Sequence, residues 1–215
     1  MLFKKDIREE IRKKILELSS LTKQSLWYTV KYLFDKAEEN CKKVLEIEEI
    51  SDKTNLDVID TAIDYLNKRC MKGKPLREII MLMEISAIFE RICDLLEKIC
   101  RLNIIVPEVV KSNIAEKLTW MTKKVITMIE ISEDAMKEED VEELKQNLEG
   151  IDDEIDELFL ECKKQIIEFL SNGNNVETYA NLLYVIGYLE RIGDLAAKIG
   201  SRLVYIFEGK HIFIK

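Results

Sequence analysis

The chain has 215 residues and a formal net charge of −8, with 47% hydrophobic and 34% charged residues. This length suits one large domain or two repeats of about 100 residues, each able to bury a core. The acidic balance argues against a protein that wraps nucleic acid. The five cysteines form no CxxC pair, which argues against a disulfide framework.

Apolar residues recur at helical spacing along most of the first half of the chain. This pattern predicts helices over residues 5–48, 56–71 and 75–101, with Asn55 as the N-cap of the second helix. Gly73 and Pro75 separate the second helix from the third, as expected of a glycine after a helix end and a proline at a helix start.

The second half repeats this plan. Helices are predicted over residues 107–137, 140–170 and 176–208, and Gly209 ends the last one. Trp27 and Trp120 lie near the middle of the first and fourth helices, 93 residues apart. The sequence therefore predicts an all-α protein of six helices. These form two tandem pseudo-repeat three-helix bundles, over residues 1–103 and 104–215.

Two short segments of nearly the same sequence lie 100 residues apart. Residues 89–99 read FERICDLLEKI and residues 189–199 read LERIGDLAAKI. In a helix, positions i and i+4 share a face, so Glu90 lies beside Asp94, and Glu190 lies beside Asp194. Like charges at this spacing repel by a few tenths of a kcal/mol. Their recurrence therefore indicates an internal duplication and a cation-binding role.

Each half also carries an acidic pair at the same spacing in its second predicted helix. These pairs are Asp60 with Asp64, and Asp152 with Asp156. Two carboxylate pairs on neighbouring helices could converge on a hard or borderline cation with oxygen ligands. A solvated helix face is the alternative, and the sequence leaves it open. The candidate metal ligands are Asp60, Asp64, Glu90, Asp94, Asp152, Asp156, Glu190 and Asp194.

Residues suited to catalysis are scarce. His211 is the only histidine, which excludes a histidine-bearing di-metal oxidase bundle and most acid–base schemes. Arg91 and Arg191 each follow the first glutamate of a motif, and we expect each to pair with an acid on another helix. The N-terminus lacks the apolar segment of a signal peptide, and no apolar run is long enough to span a membrane. We expect a cytoplasmic protein that is not an enzyme.

The duplicated three-helix pattern, the LERIGDLAAKI segment and the LVYIFEGK segment at residues 203–210 together resemble the PhoU family of phosphate-transport regulators. The resemblance covers nearly the whole chain and implies two similar three-helix bundles side by side. Members carry E/DxxxD motifs on the second and third helices of each bundle, and in some members these bind clusters of iron or zinc. Many members have His after the motif aspartate and Asn three residues later, where this chain has leucine and then Lys98 or Lys198. A lysine there would compete with a metal.

The resemblance also implies partners. Members regulate high-affinity phosphate uptake by contacting the ATPase subunit of the transporter and, in many bacteria, a membrane sensor histidine kinase. It leaves a homodimer open and implies contact with the membrane only through partners. The rival hypothesis is a helical adaptor or a metal-sequestering protein with no role in phosphate uptake.

Overall fold

We describe residues 7–104, 108–171 and 175–214, without the side chains of residues 108–112, from a computed structural model. These residues are 89% helical and contain no strand, which confirms the all-α prediction. The six helices are α1 (Ile7–Asp35), α2 (Glu38–Lys68), α3 (Lys74–Arg101), α4 (Glu108–Glu138), α5 (Leu144–Ser171) and α6 (Val176–Glu208).

The break between α1 and α2 differs from the prediction. The predicted first helix over residues 5–48 is wrong, because Lys36 adopts a left-handed backbone conformation with φ 53°. The carboxylate of Asp35 accepts hydrogen bonds from the backbone N–H of Ala37 (2.8 Å) and from the side-chain amide of Asn40 (3.1 Å). Aspartate stabilises turns by such bonds to nearby backbone N–H groups. Asn55, predicted as an N-cap, lies inside α2.

The later helices start and end within a few residues of their predicted positions. Gly209 has φ 75° and its N–H donates to the carbonyl of Tyr205 (3.0 Å), which closes α6 where predicted. Pro107, predicted to open the fourth helix, lies outside the described residues. The predicted boundary between residues 103 and 104 falls in the connection between α3 and α4.

The six helices form two layers. Helix α1 packs on α2 and α3, and α4 packs on α5 and α6, so that each half is a three-helix bundle. The halves join through contacts of α3 with α6 and of α1 with α4. One layer therefore has the order α2, α3, α6, α5, and the second layer consists of α1 and α4. Among the described residues, no helix is long and apolar enough to cross a membrane.

Polar contacts fix the direction of the helices where the halves meet. Arg12 near the start of α1 binds Glu139 just after α4 (2.8 Å), while Lys23 further along α1 binds Glu133 (3.0 Å). In the other layer, the side chain of Arg77 near the start of α3 donates to the carbonyl of Ile206 near the end of α6 (3.1 Å). Both pairs of helices are therefore antiparallel, as a pseudo-two-fold relation between the halves requires.

Candidate functional site

Four carboxylates from α5 and α6 form what we call the second cluster: Asp152, Asp156, Glu190 and Asp194. Asp152 is buried, with 4% of its surface exposed. Burial raises the pKa of Asp152 to about 6, and repulsion by Asp194, Asp156, Asp153 and Glu190 adds to the effect. The structure therefore brings together the four acidic residues that the sequence predicted for the second half.

The other members of the second cluster are also perturbed. The pKa of Asp156 is raised by burial and then by repulsion from Asp194 and Asp153. The pKa of Glu190 is raised by burial and then by Asp194 and Asp156. Among the described residues, none of the four has a cation within ion-pair distance. The second cluster is thus a set of neighbouring negative charges without a paired positive charge.

A glycine allows α5 to approach α6 at this cluster. A Cβ atom at Gly193 would lie 3.1 Å from Cδ1 of Ile155 and 3.7 Å from Oδ1 of Asp152. A contact of 3.1 Å is tighter than carbon atoms prefer, so a larger residue would require the side chain of Ile155 to move. Gly193 therefore positions Asp152 against α6, and it does so through the absence of a side chain.

The first half has an equivalent first cluster, which consists of Glu48, Asp52, Glu90 and Asp94. Burial raises the pKa of Glu90, and repulsion by Asp52 and Asp94 raises it further. Burial is also the largest cause of the raised pKa of Glu48, and repulsion from Asp52, Glu97 and Asp94 raises this pKa further. Glu48 and Asp52 are four residues apart on α2, just as Asp152 and Asp156 are on α5.

The structure does not bring Asp60 and Asp64 to this cluster, so the sequence-based choice of these two residues needs correction. Asp60 lies eight residues beyond Asp52 on α2, or about 12 Å along the helix axis. Asp60 and Asp64 are both exposed, and Asp64 pairs with Lys68 (3.6 Å). This part of α2 faces the start of α1, where Asp57 binds Lys14 (2.6 Å). The physical reason is the earlier start of α2, which moves Glu48 and Asp52 opposite Glu90 and Asp94.

The two clusters differ in their charge balance. In the first cluster, the ammonium of Lys98 donates to the carboxylate of Asp94 (2.7 Å). In the second cluster, Lys198 occupies the equivalent position, but the structure gives it no ion pair with Asp194. Of these two lysine–aspartate pairs, both within the described residues, the pair in the first half is thus in contact and the pair in the second half is not. That the lysine competes with a metal stays a prediction.

The residues at the centre of each cluster are complementary in size. Cys93 stands where the second half has Gly193, and it is buried with its Sγ 3.5 Å from the hydroxyl oxygen of Thr22. Burial raises the pKa of Cys93 to about 11, an effect that the hydroxyls of Thr22 and Ser51 partly offset. A small Ser51 faces Cys93, whereas a large Ile155 faces Gly193. Cys93 is therefore a packed neutral thiol.

The donor atoms of both clusters are carboxylate oxygens, which suit hard cations and, with fewer ligands, zinc or iron. Among the residues that the structure describes, no three acidic, cysteine or histidine side chains converge closely enough to hold one ion. A cation at either cluster therefore requires carboxylates to rotate toward a common point. The role of these residues as ligands stays a prediction.

Arg91 and Arg191 do not pair as expected from the sequence. Both side chains are exposed, and within the described ranges neither has a carboxylate at ion-pair distance. His211 stacks on the ring of Tyr205, with 3.8 Å between ring centroids. This contact packs the C-terminal segment, which contains the one histidine of the chain, on α6.

The fold and the site define a class: all-helical proteins with two tandem three-helix repeats, each with a cluster of carboxylates between its second and third helices. Residues 15–102 and 118–203 each match the PhoU domain. The chain belongs to the PhoU family.

Relatives and solved structures agree with this assignment. The chain is 32% identical over 165 residues to a phosphate-specific transport system accessory protein PhoU homolog of Archaeoglobus fulgidus, with 74% of each chain covered. It is 25% identical over 203 residues to a protein of the same name from Zymomonas mobilis, over 94% of this chain and 85% of the relative.

Among solved structures, PhoU from Pseudomonas aeruginosa matches with a TM-score of 0.83 at 20% identity, over 94% of this chain and 97% of the other. The phosphate transport system regulatory protein PhoU from Streptococcus pneumoniae matches with a TM-score of 0.82 at 22% identity, over 95% and 97%. These two likenesses establish the same fold.

Proposed function

We propose that this protein is a non-enzymatic, cytoplasmic regulator of high-affinity phosphate uptake and phosphate signalling. It acts by docking to the ATPase subunit of a phosphate importer and, where the cell has one, to a sensor histidine kinase. The observation that carries the proposal is the match of both halves to the PhoU domain, together with relatives named as phosphate-specific transport accessory proteins.

The two carboxylate clusters supply the docking face in this proposal. They lie in the same layer of helices, between α2 and α3 and between α5 and α6. Clustered negative charge repels itself and also repels an acidic partner. A basic or metal-bridged surface of the partner relieves this repulsion, so docking and cation binding favour each other.

A cation would be held by Asp152, Asp156, Glu190 and Asp194 in the second cluster. In the first cluster, Glu48 and Asp52 join Glu90 and Asp94. Iron or zinc is the ion that the family resemblance implies, and its contribution is neutralisation of charge. We propose that the second cluster binds the cation more tightly, because Lys98 already neutralises Asp94 in the first.

The absence of turnover is the second part of the proposal. The one histidine is stacked on Tyr205, and burial raises the pKa of the Cys93 thiol and of the Cys162 thiol to about 11. A thiol with a raised pKa is a poor nucleophile at neutral pH. The regulator should therefore act stoichiometrically, by occupying its partner.

The experiment is affinity capture from phosphate-replete cells that express the tagged full-length chain, with iron or zinc supplied. We expect recovery of the importer ATPase subunit, with less recovery at raised salt, because exposed charges are screened beyond about 10 Å at 0.1 M. Capture without any transporter component would contradict the proposal and favour the adaptor or sequestration hypothesis.

A matched pair of variants distinguishes the effect of the second cluster from the effect of removing negative charge elsewhere on the same helix. Asp152→Asn with Asp156→Asn removes two charges from the second cluster. Glu157→Gln with Glu168→Gln removes two charges from exposed positions on the same helix. The cluster variant should lose bound metal and recover less ATPase subunit, while the control variant keeps both. Equal metal content in the two variants would show that the second cluster is only a solvated face.

A further inference from the structure

A cleft between α3 and α6 has positive side chains at four of its eight lining residues, in a chain whose net charge is −8. The cleft has a volume of about 380 Å³. Its charged lining consists of Arg91, Arg191, Lys198 and Arg202, with Glu84 as the one carboxylate. It lies between the two carboxylate clusters, because α3 and α6 occupy the middle of their layer.

Among the described residues, only one of these four cations forms an ion pair. Glu84 accepts from Nε of Arg202 at 2.5 Å, which neutralises one cation. Within the described part of the chain, Arg91, Arg191 and Lys198 have no carboxylate at ion-pair distance. Three positive charges therefore line one cleft without an ion pair, an arrangement that favours an anionic ligand. Glu90 attracts Arg91, and Glu190 attracts Arg191 and Lys198, only from beyond ion-pair distance.

Arg91 and Arg191 both line the cleft because they are equivalent residues of the internal duplication. They occupy the same position of the repeated ERI motif, 100 residues apart. Because α3 and α6 are antiparallel, the duplication brings both guanidinium groups to one crossing. A guanidinium group presents a planar fork of N–H donors that matches the oxygen atoms of phosphate or carboxylate. Two such forks in one cleft suit a ligand with several acceptor oxygens.

The remaining lining is apolar and comes from Ala87, Ile88 and Leu195. Leu195 is buried, with 6% of its surface exposed. Apolar groups beside a charge lower the local dielectric constant, so a charge-assisted hydrogen bond in the cleft is stronger than one at an open surface.

The surroundings favour a compact anion over an extended acidic segment. A peptide or helix with several acidic residues would extend past the cleft onto Glu90 and Asp94 on one side, and onto Glu190 and Asp194 on the other. It would then meet like charges. A small dianion spans a shorter distance than such a segment and therefore meets fewer of these carboxylates.

We propose that this cleft binds a compact phosphate-type oxyanion, with Arg91 and Arg191 as its two recognition forks and Lys198 as an additional cation. This binding site uses the cations of the cleft and none of the carboxylates of the two clusters. It requires neither a metal ion nor a protein partner, so its failure and the failure of the docking proposal are distinguishable.

The test is titration calorimetry of the full chain with inorganic phosphate at low ionic strength, in the presence of a chelator. Sodium chloride of equal ionic strength is the reference. The variant Arg91→Gln with Arg191→Gln should weaken phosphate binding at least about tenfold, since it removes charge-assisted hydrogen bonds. Arg91→Lys with Arg191→Lys keeps the charge and removes the forks, and should also weaken binding.

The matched control is Arg69→Gln with Lys72→Gln, which removes two exposed positive charges outside the cleft. It should bind phosphate within about twofold of the unmodified chain, as distant exposed charges are screened. Absence of phosphate binding to the unmodified chain would overturn the proposal. So would equal weakening by the control, or phosphate binding that occurs only in a titration without chelator.

Discussion

Replacement of Asp152 by asparagine should stabilise the metal-free protein. Asp152 is buried in the second cluster, and the nearby charges of Asp194, Asp156, Asp153 and Glu190 oppose its ionisation. Asparagine has almost the same shape and carries no charge. It therefore removes the cost of holding an ionised carboxylate at this position and leaves the packing against Gly193 in place.

The magnitude follows from the change in proton affinity. The pKa of Asp152 rises from 3.8 to about 6 in the folded protein. A shift of this size corresponds to a free energy of about 3 kcal/mol between the two protonation states. Because asparagine keeps some of the desolvation cost of a polar group, we expect a gain of about 2 kcal/mol above pH 6.

The pH dependence has a definite sign. The pKa is higher in the folded protein, so the folded state binds the proton more tightly than the unfolded state does. The stabilisation from protonated Asp152 is fully present below pH 3.8 and is lost as the pH rises through about 6. The advantage of Asp152→Asn should therefore be small at pH 3.8 and complete above pH 6.

The assay is urea denaturation of both proteins at a series of pH values across this window, with chelator present. Glu157→Gln is the control, since Glu157 is exposed on the same helix and is not among the charges that act on Asp152, and it should change the free energy of unfolding by about 0.5 kcal/mol or less. A loss of stability in Asp152→Asn at pH 7, or a gain that does not depend on pH, would refute the reasoning.

Two further predictions concern packing and charge. Glu78 is buried and forms ion pairs with Arg8 (3.1 Å) and Arg12 (2.6 Å). Glu78→Gln should therefore lower the free energy of unfolding, measured by chemical denaturation, by about 3 kcal/mol. Glu84→Gln should cost about 1 kcal/mol or less, because its pair with Arg202 is exposed, and equal costs would contradict the argument from burial. The second prediction concerns two glycines of α6. Gly187→Ala should raise the free energy of unfolding by up to about 1 kcal/mol, since nothing lies within 4 Å of the new Cβ. Gly193→Ala should be at least about 1 kcal/mol less stable than that control, and equal melting temperatures would show that Ile155 yields freely.

Most of the fold could be predicted from the sequence, because glycine, proline and helical periodicity mark the later helices. The break after α1 could not be found in this way, because neither residue type occurs there. Its signal was Asp35 with Asn40, a pair whose side chains hydrogen-bond in a turn. The second cluster was predicted in full since a continuous α5 carries Asp152 and Asp156.

The first cluster was predicted only in part, because α2 starts earlier than predicted and places Glu48 and Asp52 opposite Glu90 and Asp94. The spacing of 93 residues between Trp27 and Trp120 is also not the spacing of the repeat. Thr22 and Thr122 are buried and donate to the carbonyls of Leu18 and Leu118, each at 2.9 Å. This shared environment indicates a spacing of 100 residues between α1 and α4. Trp27 and Trp120 therefore occupy different positions, and Trp120 is 48% exposed.

Contacts between distant segments of the chain could not be predicted from the sequence. Arg91 and Arg191 were expected to pair with acids on other helices, yet both line the cleft between α3 and α6. Their placement depends on how the two halves pack. The repeated motif gives their spacing along the chain, but only the antiparallel crossing of α3 and α6 brings them together.

The central claim is regulation of phosphate uptake through the carboxylate clusters. Its most direct test is the rate of phosphate uptake by phosphate-replete cells that lack this protein. The cells are complemented with the unmodified chain, with Asp152→Asn and Asp156→Asn, or with Glu157→Gln and Glu168→Gln. We predict high uptake without the protein or with the cluster variant, and low uptake with the unmodified chain and the control. Equal uptake in cells with and without the unmodified protein would contradict the claim.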